Sequence, residues 1–398
     1  MDFVRSLLNR SLFISIQGMT FPTWVRMLWD NRARVHPLYW PRALVLTVTS
    51  LLNSAYAFAE FLVFSWFVRR TKVESPIIIL GHFRGGTTHL HNLLTLDDRF
   101  AYPTLYQTLN PSTFLSTEFL FRLPNKLLLC SHRPQDRVAI GPDLPAEDEV
   151  AMGIDSLLSP YMGWVFPNRQ AHYDRFLTFD DATEAEKARW KRSIRTFLQK
   201  VSWKTGKPLV LKSPPHTARI ALLLELFPDA RFIHIHRDPF QVFQSTRRLL
   251  DILPPYFAMQ PIPADVDRDE QVIDQYARMY AAYFRDLGRI PPGQFCEVAY
   301  EDLDRDPVGT MGRIYGALKL GDFGRAEPAI REYLGTLRGF RKNGHADLPE
   351  ALKRRIVARW RGCFEAWGYP IPAEPMKGPH RRTKAGAERP ARPVGEGE

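Results

Sequence analysis

The sequence predicts an α/β fold in which helices cover a parallel β-sheet. Short apolar runs bounded by Gly or Pro alternate with segments of helical periodicity. The expected strands are Pro76–Leu80, Leu209–Leu211, Arg231–His236 and Phe295–Ala299. The first three strands lead into the expected helices Thr87–Leu96, Thr217–Phe227 and Phe240–Leu250. Repeated strand-helix units of this kind favour a parallel sheet because each helix returns the chain to the same edge.

The composition narrows the class of protein. With 398 residues, 45% of them hydrophobic, the chain is long enough for one large α/β core or two smaller ones. Three scattered cysteines, Cys130, Cys296 and Cys363, exclude a disulfide framework and indicate a reducing compartment. The net charge of +11 is compatible with nucleic acid, anionic lipid or an anionic substrate. Because no DNA-binding motif or stripe of aromatic and basic residues accompanies the charge, we expect no nucleic-acid partner.

Three regions follow one another along the chain. Residues 1–75 form an aromatic, basic and hydrophobic segment, residues 76–370 the α/β domain, and residues 371–398 a basic tail expected to be disordered. The first region contains a 26-residue apolar run, 43–68, with Glu60 as its single acid. This run is long enough to cross a bilayer. However, Asn53, Ser54 and Glu60 are costly in lipid, so a helix packed on the protein or lying in the membrane interface stays an alternative.

The most informative motif is a glycine-rich turn after the first strand. An apolar strand runs through Gly81 into Arg84-Gly85-Gly86 and then into a helix that begins with Thr87 and Thr88. Free backbone N–H groups and the helix dipole converge at such a turn, which is typical of a phosphate site. A nucleoside triphosphatase loop has a lysine at the position of Thr87. The absence of this lysine disfavours ATP binding. It favours a nucleotide with a single 5′ phosphate, for which Arg84 is the nearby cation.

A second motif follows the third strand. Arg237 lies at the strand end, Pro239 begins the next helix, and Ser245 lies two turns into that helix. An arginine and a hydroxyl in this arrangement suit a second phosphate. Arg-Asp-Pro on its own is also compatible with a helix-capping ion pair.

Together the two motifs resemble the 3′-phosphoadenosine-5′-phosphosulfate (PAPS)-dependent sulfotransferases, in particular the bacterial subgroup with an Arg-Gly-Gly-Thr-Thr loop and an Arg-Asp-Pro motif. The resemblance implies a P-loop-like fold in which the glycine-rich loop binds the 5′-phosphosulfate and Arg237 and Ser245 bind the 3′ phosphate. Gly85 departs from the family, which usually has serine there.

Softer similarities extend the resemblance over about residues 75–370. They are Leu211-Lys212-Ser213-Pro214-Pro215-His216, Phe227-Pro228-Asp229-Ala230, Tyr300-Glu301-Asp302-Leu303, Arg341-Lys342-Asn343 and Trp367-Gly368-Tyr369. The resemblance adds Lys342 and Asn343 to the residues expected to bind PAPS.

Sulfuryl transfer requires fixed cations where negative charge develops, for which Arg84 and Lys212 are candidates. It also requires a base that takes the acceptor proton. Three residues compete for this role, in the order Glu147, His216 and Glu149. Glu147 and Glu149 lie in a Pro-x-Glu-x-Glu pattern of the same subgroup. We expect no metal ion, because the sequence has no metal-ligand motif and sulfuryl transfer lacks the charge of ATP chemistry.

Two other functions remain as alternatives: a P-loop nucleotide kinase or other phosphotransferase, and a non-catalytic, membrane-attached scaffold that binds 3′-phosphoadenosine-5′-phosphate (PAP). The tryptophans and arginines around the apolar run suit an anionic membrane surface, which favours a lipophilic hydroxyl acceptor over a small polar one. No secretory cleavage site precedes the run, so we expect the protein in the cytoplasm, at the cytoplasmic face of the membrane. The sequence gives no basis for an oligomeric state.

Overall fold

Four parallel strands form one sheet within residues 16–120, 141–337 and 347–372, the parts of the chain that the computed structural model describes. The order across the sheet is β2-β1-β3-β4. The strands are β1 (Ile77–Leu80), β2 (Val210–Lys212), β3 (Arg231–His236) and β4 (Phe295–Ala299). The predicted fold class, a helix-covered parallel sheet, is confirmed.

Helices surround this sheet. They are α1 (Phe21–Asp30), α2 (Trp40–Arg70), α3 (Thr87–Leu94), α4 (Leu105–Leu109), α5 (Asp148–Ser156), α6 (Met162–Val165), α7 (Gln170–Asp174), α8 (Glu184–Thr205), α9 (Ile220–Leu226), α10 (Pro239–Ile252), α11 (Arg268–Asp286), α12 (Tyr300–Arg305), α13 (Pro307–Leu318), α14 (Glu327–Thr336) and α15 (Glu350–Trp367). Short 3₁₀ turns include Pro214–Ala218 and Pro254–Tyr256.

Side chains of β1 alternate between two hydrophobic layers. Ile78 and Leu80 join the larger core on one face of the sheet, and Ile77 and Ile79 join the smaller core on the other. All four are almost completely buried. Parallel strands covered on both faces are expected to be apolar throughout, which explains why the strand sequence is continuous Ile-Ile-Ile-Leu.

The chain reverses its direction of travel across the sheet at β1. It passes from β1 to β2 on one side and then returns to β3 on the other side of β1. In open α/β sheets a crevice forms at the carboxyl ends of strands at such a switch point. The glycine-rich turn, Lys212 and Arg237 all lie at these ends.

One predicted helix differs from the structure. The predicted helix Thr217–Phe227 is split into the 3₁₀ turn Pro214–Ala218 and α9, with Arg219 in a non-helical conformation between them. Long-range contacts explain the break, because Thr217 Oγ1 accepts the N–H of Gly81 and the Arg219 guanidinium binds distant backbone carbonyls.

The apolar run 43–68 lies within α2, a 31-residue helix. Among the described residues, the helical stretch 37–70 has the length and composition that would suffice to cross a membrane, and little of it is buried. The helix is therefore not enclosed in the hydrophobic core, although some of its side chains contact the rest of the protein. Lys342, Asn343 and residues 373–398 of the predicted tail lie outside the described residues.

Candidate active site

The glycine-rich turn brings backbone close to its neighbours. Gly86 caps α3 with φ +96°, a left-handed conformation that glycine adopts without strain. A Cβ on Gly86 would lie 2.3 Å from Tyr300 Cδ2, and one on Gly81 would lie 2.6 Å from the Ile235 oxygen. The turn thus leaves the N–H groups of α3's first turn, with Thr87 and Thr88, facing the carboxyl edge of the sheet, where the helix dipole favours an anion.

Arg84 connects the two predicted motifs. Its Nε donates a hydrogen bond of 2.9 Å to Ser245 Oγ, and its carbonyl oxygen accepts one of 3.2 Å from Arg237 Nη1. Residues separated by about 150 positions in the chain therefore meet at one point. The structure brings together Arg84, Arg237 and Ser245, as the assignment of both phosphates to one nucleotide requires.

Arg237 is held in place by two further neighbours. Its Nη2 donates to Gln241 Oε1 at 2.7 Å, and its guanidinium lies 4.4 Å from the ring centre of Tyr300. Its Nε is buried and has no hydrogen-bond partner among the described residues. A buried guanidinium N–H is normally paired, so this group fits an anionic ligand that completes its hydrogen bonding.

Two histidines near the turn, His82 and His236, favour the neutral form. Burial lowers the pKa of His82 to about 4, although a hydrogen bond with the Phe83 carbonyl opposes this. Burial likewise lowers the pKa of His236 to about 4, with His234 contributing. The cations at this edge include Arg84, Arg237 and Lys212.

Lys212 ends β2 beside a carboxylate. Its Nζ donates to Glu147 Oε1 at 2.6 Å, and the hydroxyl of Tyr161 donates to Glu147 Oε2 at 2.5 Å. The Lys212 side chain is 1% exposed, whereas that of Glu147 is 22% exposed. Burial and the nearby carboxylates of Glu147, Glu149 and Asp148 raise the pKa of Tyr161 well above its usual value, so this hydroxyl remains a donor.

Aromatic rings line one side of this carboxylate. Tyr161 stacks on Trp164 with ring centres 4.8 Å apart, and Phe83 lies 5.9 Å from Tyr161. The ring centre of Phe257 lies 5.8 Å from that of Trp164. We call Phe83, Tyr161, Trp164 and Phe257 the aromatic lining; it places an apolar surface directly beside the lysine-bound carboxylate.

The other two base candidates are enclosed. His216 Nε2 is 2.5 Å from Asp148 Oδ2, and both side chains are fully buried. Burial alone would raise the pKa of Asp148, but the charge and hydrogen bond of His216 and a hydrogen bond from Ser213 outweigh it and lower that pKa. Glu149 accepts two hydrogen bonds from Arg219, again with both side chains at 0% exposure.

Sequence reasoning missed several residues of this site. Tyr161 and Arg219 stood in no recognised motif, and only folding brings them to Glu147 and Glu149. Ser213 and Tyr300 stood inside segments already noted for their resemblance to the family, which was the available signal. No group of three or more His, Cys, Asp or Glu side chains within the described ranges is arranged to hold a metal ion.

In an open, helix-covered parallel sheet, a switch point of this kind is where a ligand binds. The sequence profile described as "Sulfotransferase family" matches residues 76–323. The chain belongs to the sulfotransferase family.

Curated relatives agree with this family. The chain is 37% identical over 354 residues to the omega-hydroxy-beta-dihydromenaquinone-9 sulfotransferases Stf3 of Mycobacterium bovis and Mycobacterium tuberculosis. The alignment covers 88% of this chain and 90% of each relative.

Solved structures share the fold. Sulfotransferase STF9 from Mycobacterium avium has a TM-score of 0.64 at 21% identity, with 86% of this chain and 90% of that chain covered. Sulfotransferase STF1 from Mycobacterium tuberculosis H37Rv has a TM-score of 0.62 at 18% identity, with 85% and 92% covered.

Proposed function

We propose that this sulfotransferase uses PAPS as donor and a hydroxyl on a lipophilic molecule as acceptor. The observation that supports the donor is the meeting of Arg84, Arg237 and Ser245 beside the glycine-rich turn. A 3′ phosphate at Arg237 would satisfy its unpartnered Nε, and the first turn of α3 would hold the 5′-phosphosulfate. Lys342 and Asn343 are further proposed ligands from the resemblance alone.

In our proposal, bound PAPS supplies an activated sulfuryl group. The acceptor oxygen forms a bond to sulfur while the bond from sulfur to the bridging phosphate oxygen breaks, and PAP leaves with that electron pair. Arg84 and Lys212 stabilise the negative charge that develops on the leaving and sulfuryl oxygens. Glu147 takes the acceptor proton. No metal ion takes part in this scheme.

Glu147 is the proposed base because it alone of the three candidates is partly exposed. The carboxylate of Glu149 is fully enclosed by its pair with Arg219, and His216 by its pair with Asp148. Neither group can reach a substrate without breaking a buried, hydrogen-bonded pair, which costs several kcal/mol for the Arg219–Glu149 ion pair. We therefore propose that both hold the segment carrying Lys212 rather than act on the acceptor.

The aromatic lining supports the lipophilic part of the proposal, because apolar rings beside the base suit an apolar substrate. The relatives at 37% identity are named for a hydroxylated menaquinone acceptor. By similarity we propose an acceptor of the same chemical class, a lipid alcohol with an isoprenoid-like chain. The reaction is proposed to take place in the cytoplasm, at the membrane face.

Transfer from ³⁵S-labelled PAPS tests this function directly. Purified protein should label a long-chain isoprenoid alcohol such as solanesol and should not label a polar alcohol such as glucose at a comparable rate. Binding of PAP without transfer to any alcohol would instead support the non-catalytic scaffold. Transfer of phosphate from ATP would support the phosphotransferase.

Calorimetry tests the proposed 3′-phosphate site. PAP should bind more tightly than 5′-AMP, and Arg237→Ala should weaken PAP binding by about 2–3 kcal/mol, the scale of a charge-assisted hydrogen bond. Arg231→Ala, at the opposite end of β3, is the matched control and should leave PAP binding unchanged. Equal affinity for PAP and 5′-AMP would remove Arg237 from the site.

A further inference from the structure

Helix α2 turns its polar side chains toward the protein. Asn53 Nδ2 donates to the carbonyl oxygens of Gln17 and Met19, and Ser54 Oγ accepts from Phe21 N. Glu60, the single acid of the apolar run, is buried and pairs with Lys200. The residues that looked costly in lipid are therefore bound to the body of the protein.

The opposite face of α2 is apolar and exposed. It consists of Leu44, Val48, Leu51, Phe58, Leu62 and Trp66, which recur at helical spacing along the whole helix. Leu44 is 67% exposed, Leu62 65% and Trp66 57%. We call these six residues the apolar face of α2. An exposed apolar surface of this extent marks an interaction site rather than ordinary solvent-facing surface.

Positive charge stands at both ends of this face. Exposed Arg32 and Arg34 precede α2, and exposed Arg69, Arg70 and Lys72 stand at its end. Between Asn31 and Val73 the only acid is the buried Glu60. This pattern complements an anionic lipid surface. A second copy of the chain would bring the same cations together, whether the two helices ran parallel or antiparallel.

Contacts with the protein favour an α2 that lies along the membrane over one that crosses it. Length alone would allow crossing, because 31 residues at about 1.5 Å per residue exceed the roughly 30 Å hydrocarbon core. Its inward face is hydrogen-bonded to the protein from Arg42 to Glu60. Crossing would remove these partners and expose Asn53 and Glu60 to hydrocarbon.

The amino-terminal end of α2 is also connected to the candidate active site. Arg42 Nη1 donates to the Ala258 carbonyl at 2.7 Å, directly after Phe257 of the aromatic lining. Met259 in turn donates its N–H to the Val165 carbonyl, beside Trp164. Exposed Leu38 and Trp40 stand at this same end of the helix.

We propose that the apolar face of α2 docks on an anionic bilayer with the helix parallel to the membrane plane. We further infer that the acceptor passes from the bilayer to the aromatic lining at the Leu38–Trp40 end; this second part rests on the proposed function. Docking itself is independent of the reaction.

Flotation tests the docking. The full-length protein should float with vesicles of phosphatidylglycerol and phosphatidylcholine, and much less with phosphatidylcholine alone. Leu44→Ser with Leu62→Ser should lower the partition coefficient at least about tenfold, since both side chains leave the lipid. Val266→Ser with Phe284→Ser, exposed apolar positions elsewhere, is the matched control and should not change it. Equal flotation of both double variants would overturn the proposal.

Two further measurements test the docking: the effect of reversing the charge of α2's carboxyl-terminal arginines, and the depth of α2 in the bilayer. Arg69→Glu with Arg70→Glu should reduce binding to the anionic vesicles most strongly at low salt. Fluorophores attached to cysteines at positions 44, 51, 58 and 62 should report one similar, shallow depth. A depth that passes through the bilayer centre along the helix would show that it crosses. Loss of flotation together with a dimer in sedimentation would show that a second copy covers the face.

Measuring transfer to two acceptor alcohols distinguishes a failure of membrane docking from a failure of the proposed function. With geraniol, which is short enough to reach the enzyme from water, the Leu44→Ser and Leu62→Ser double variant should match the wild type. With solanesol in vesicles its rate should fall at least about tenfold. Equal rates of both proteins on solanesol would overturn acceptor entry from the bilayer. A wild-type protein that floats but labels neither alcohol would contradict the proposed function and leave docking supported.

Discussion

Glu147 and Glu149 are two residues apart, and each binds a cation at or shortly after the end of β2. Glu147 precedes α5 as its N-cap residue and holds Lys212, while Glu149 lies inside the first turn and holds Arg219. The first carboxylate is 22% exposed and the second is fully buried. About half a turn of helix thus separates a partly exposed carboxylate from a fully enclosed one.

Further contacts hold the buried pair in place. Arg219 also donates to the carbonyl oxygens of Phe176 and Leu177 and lies about 5 Å from the rings of Phe179 and Trp190. Glu149 N in turn donates to Ser213 Oγ, next to Lys212. The pair therefore fixes the position of α5 relative to the end of β2, on which the geometry between Glu147 and Lys212 depends.

The largest expected effect comes from breaking the buried pair. Glu149→Gln leaves the Arg219 guanidinium buried without a counter-charge, so the free energy of unfolding in urea should fall by about 3–5 kcal/mol. Glu365→Gln is the control, because its pair with Arg361 is exposed and should contribute less than about 1 kcal/mol. Similar losses in the two variants would mean that Glu149 is not the structural member of the two glutamates.

Glu147→Gln should lower catalysis much more than folding stability, the reverse of Glu149→Gln. The amide oxygen can still accept a hydrogen bond from Lys212, and the amide NH2 can donate to the oxygen of the Tyr161 hydroxyl. The amide is, however, a very weak base, so kcat should fall about 10²-fold or more. Single-turnover rates and PAP calorimetry check this, and PAP affinity should remain nearly unchanged. The loss of folding stability should be smaller than for Glu149→Gln. A normal kcat in Glu147→Gln, together with a low kcat in folded His216→Ala, would identify His216 as the general base instead.

The sequence predicted the sheet well because buried parallel strands are short apolar runs with sharp boundaries. The bounds of β3 and β4 agree with the prediction, and β1 and β2 begin one residue later than expected. The motifs at the strand ends followed from local chemistry. Their meeting, as between Arg84 and Ser245, followed from the parallel arrangement, which places all strand ends at one edge.

The sequence ranked Glu147 above Glu149 as the base but could not show how their surroundings differ, because that difference lies in contacts distant along the chain. Arg219 reaches Glu149 across 70 positions, and Tyr161 reaches Glu147 only through the turn after α5. The same limit applied to α2. Its apolar residues occupy both faces, so periodicity did not show that Asn53 and Glu60 point inward to partners in other segments.

Tyr161 gives a further difference between the two glutamates. The carboxylate of Glu147 accepts hydrogen bonds from a cation, Lys212, and from a neutral hydroxyl, that of Tyr161, whereas both hydrogen bonds described for the carboxylate of Glu149 come from Arg219. Tyr161→Phe removes the hydrogen bond to Glu147 Oε2 but keeps the ring that stacks on Trp164. A hydrogen bond to a charged group contributes about 1.5–3 kcal/mol, and water at this partly exposed carboxylate replaces part of it. We therefore expect kcat to fall about tenfold, with KM for the acceptor little changed.

A double-mutant cycle distinguishes positioning of the base from a general structural role. If Tyr161 acts by orienting the Glu147 carboxylate, then Tyr161→Phe should lower kcat far less in a Glu147→Gln background than in the wild type, because the group that it orients is already lost. Trp164→Phe is the control, since it alters the aromatic lining without touching the carboxylate, and its effect should be the same in both backgrounds. Equal effects of Tyr161→Phe in the two backgrounds would show that the hydroxyl acts independently of Glu147, and the difference between the two glutamates would then rest on their exposure and their cations alone.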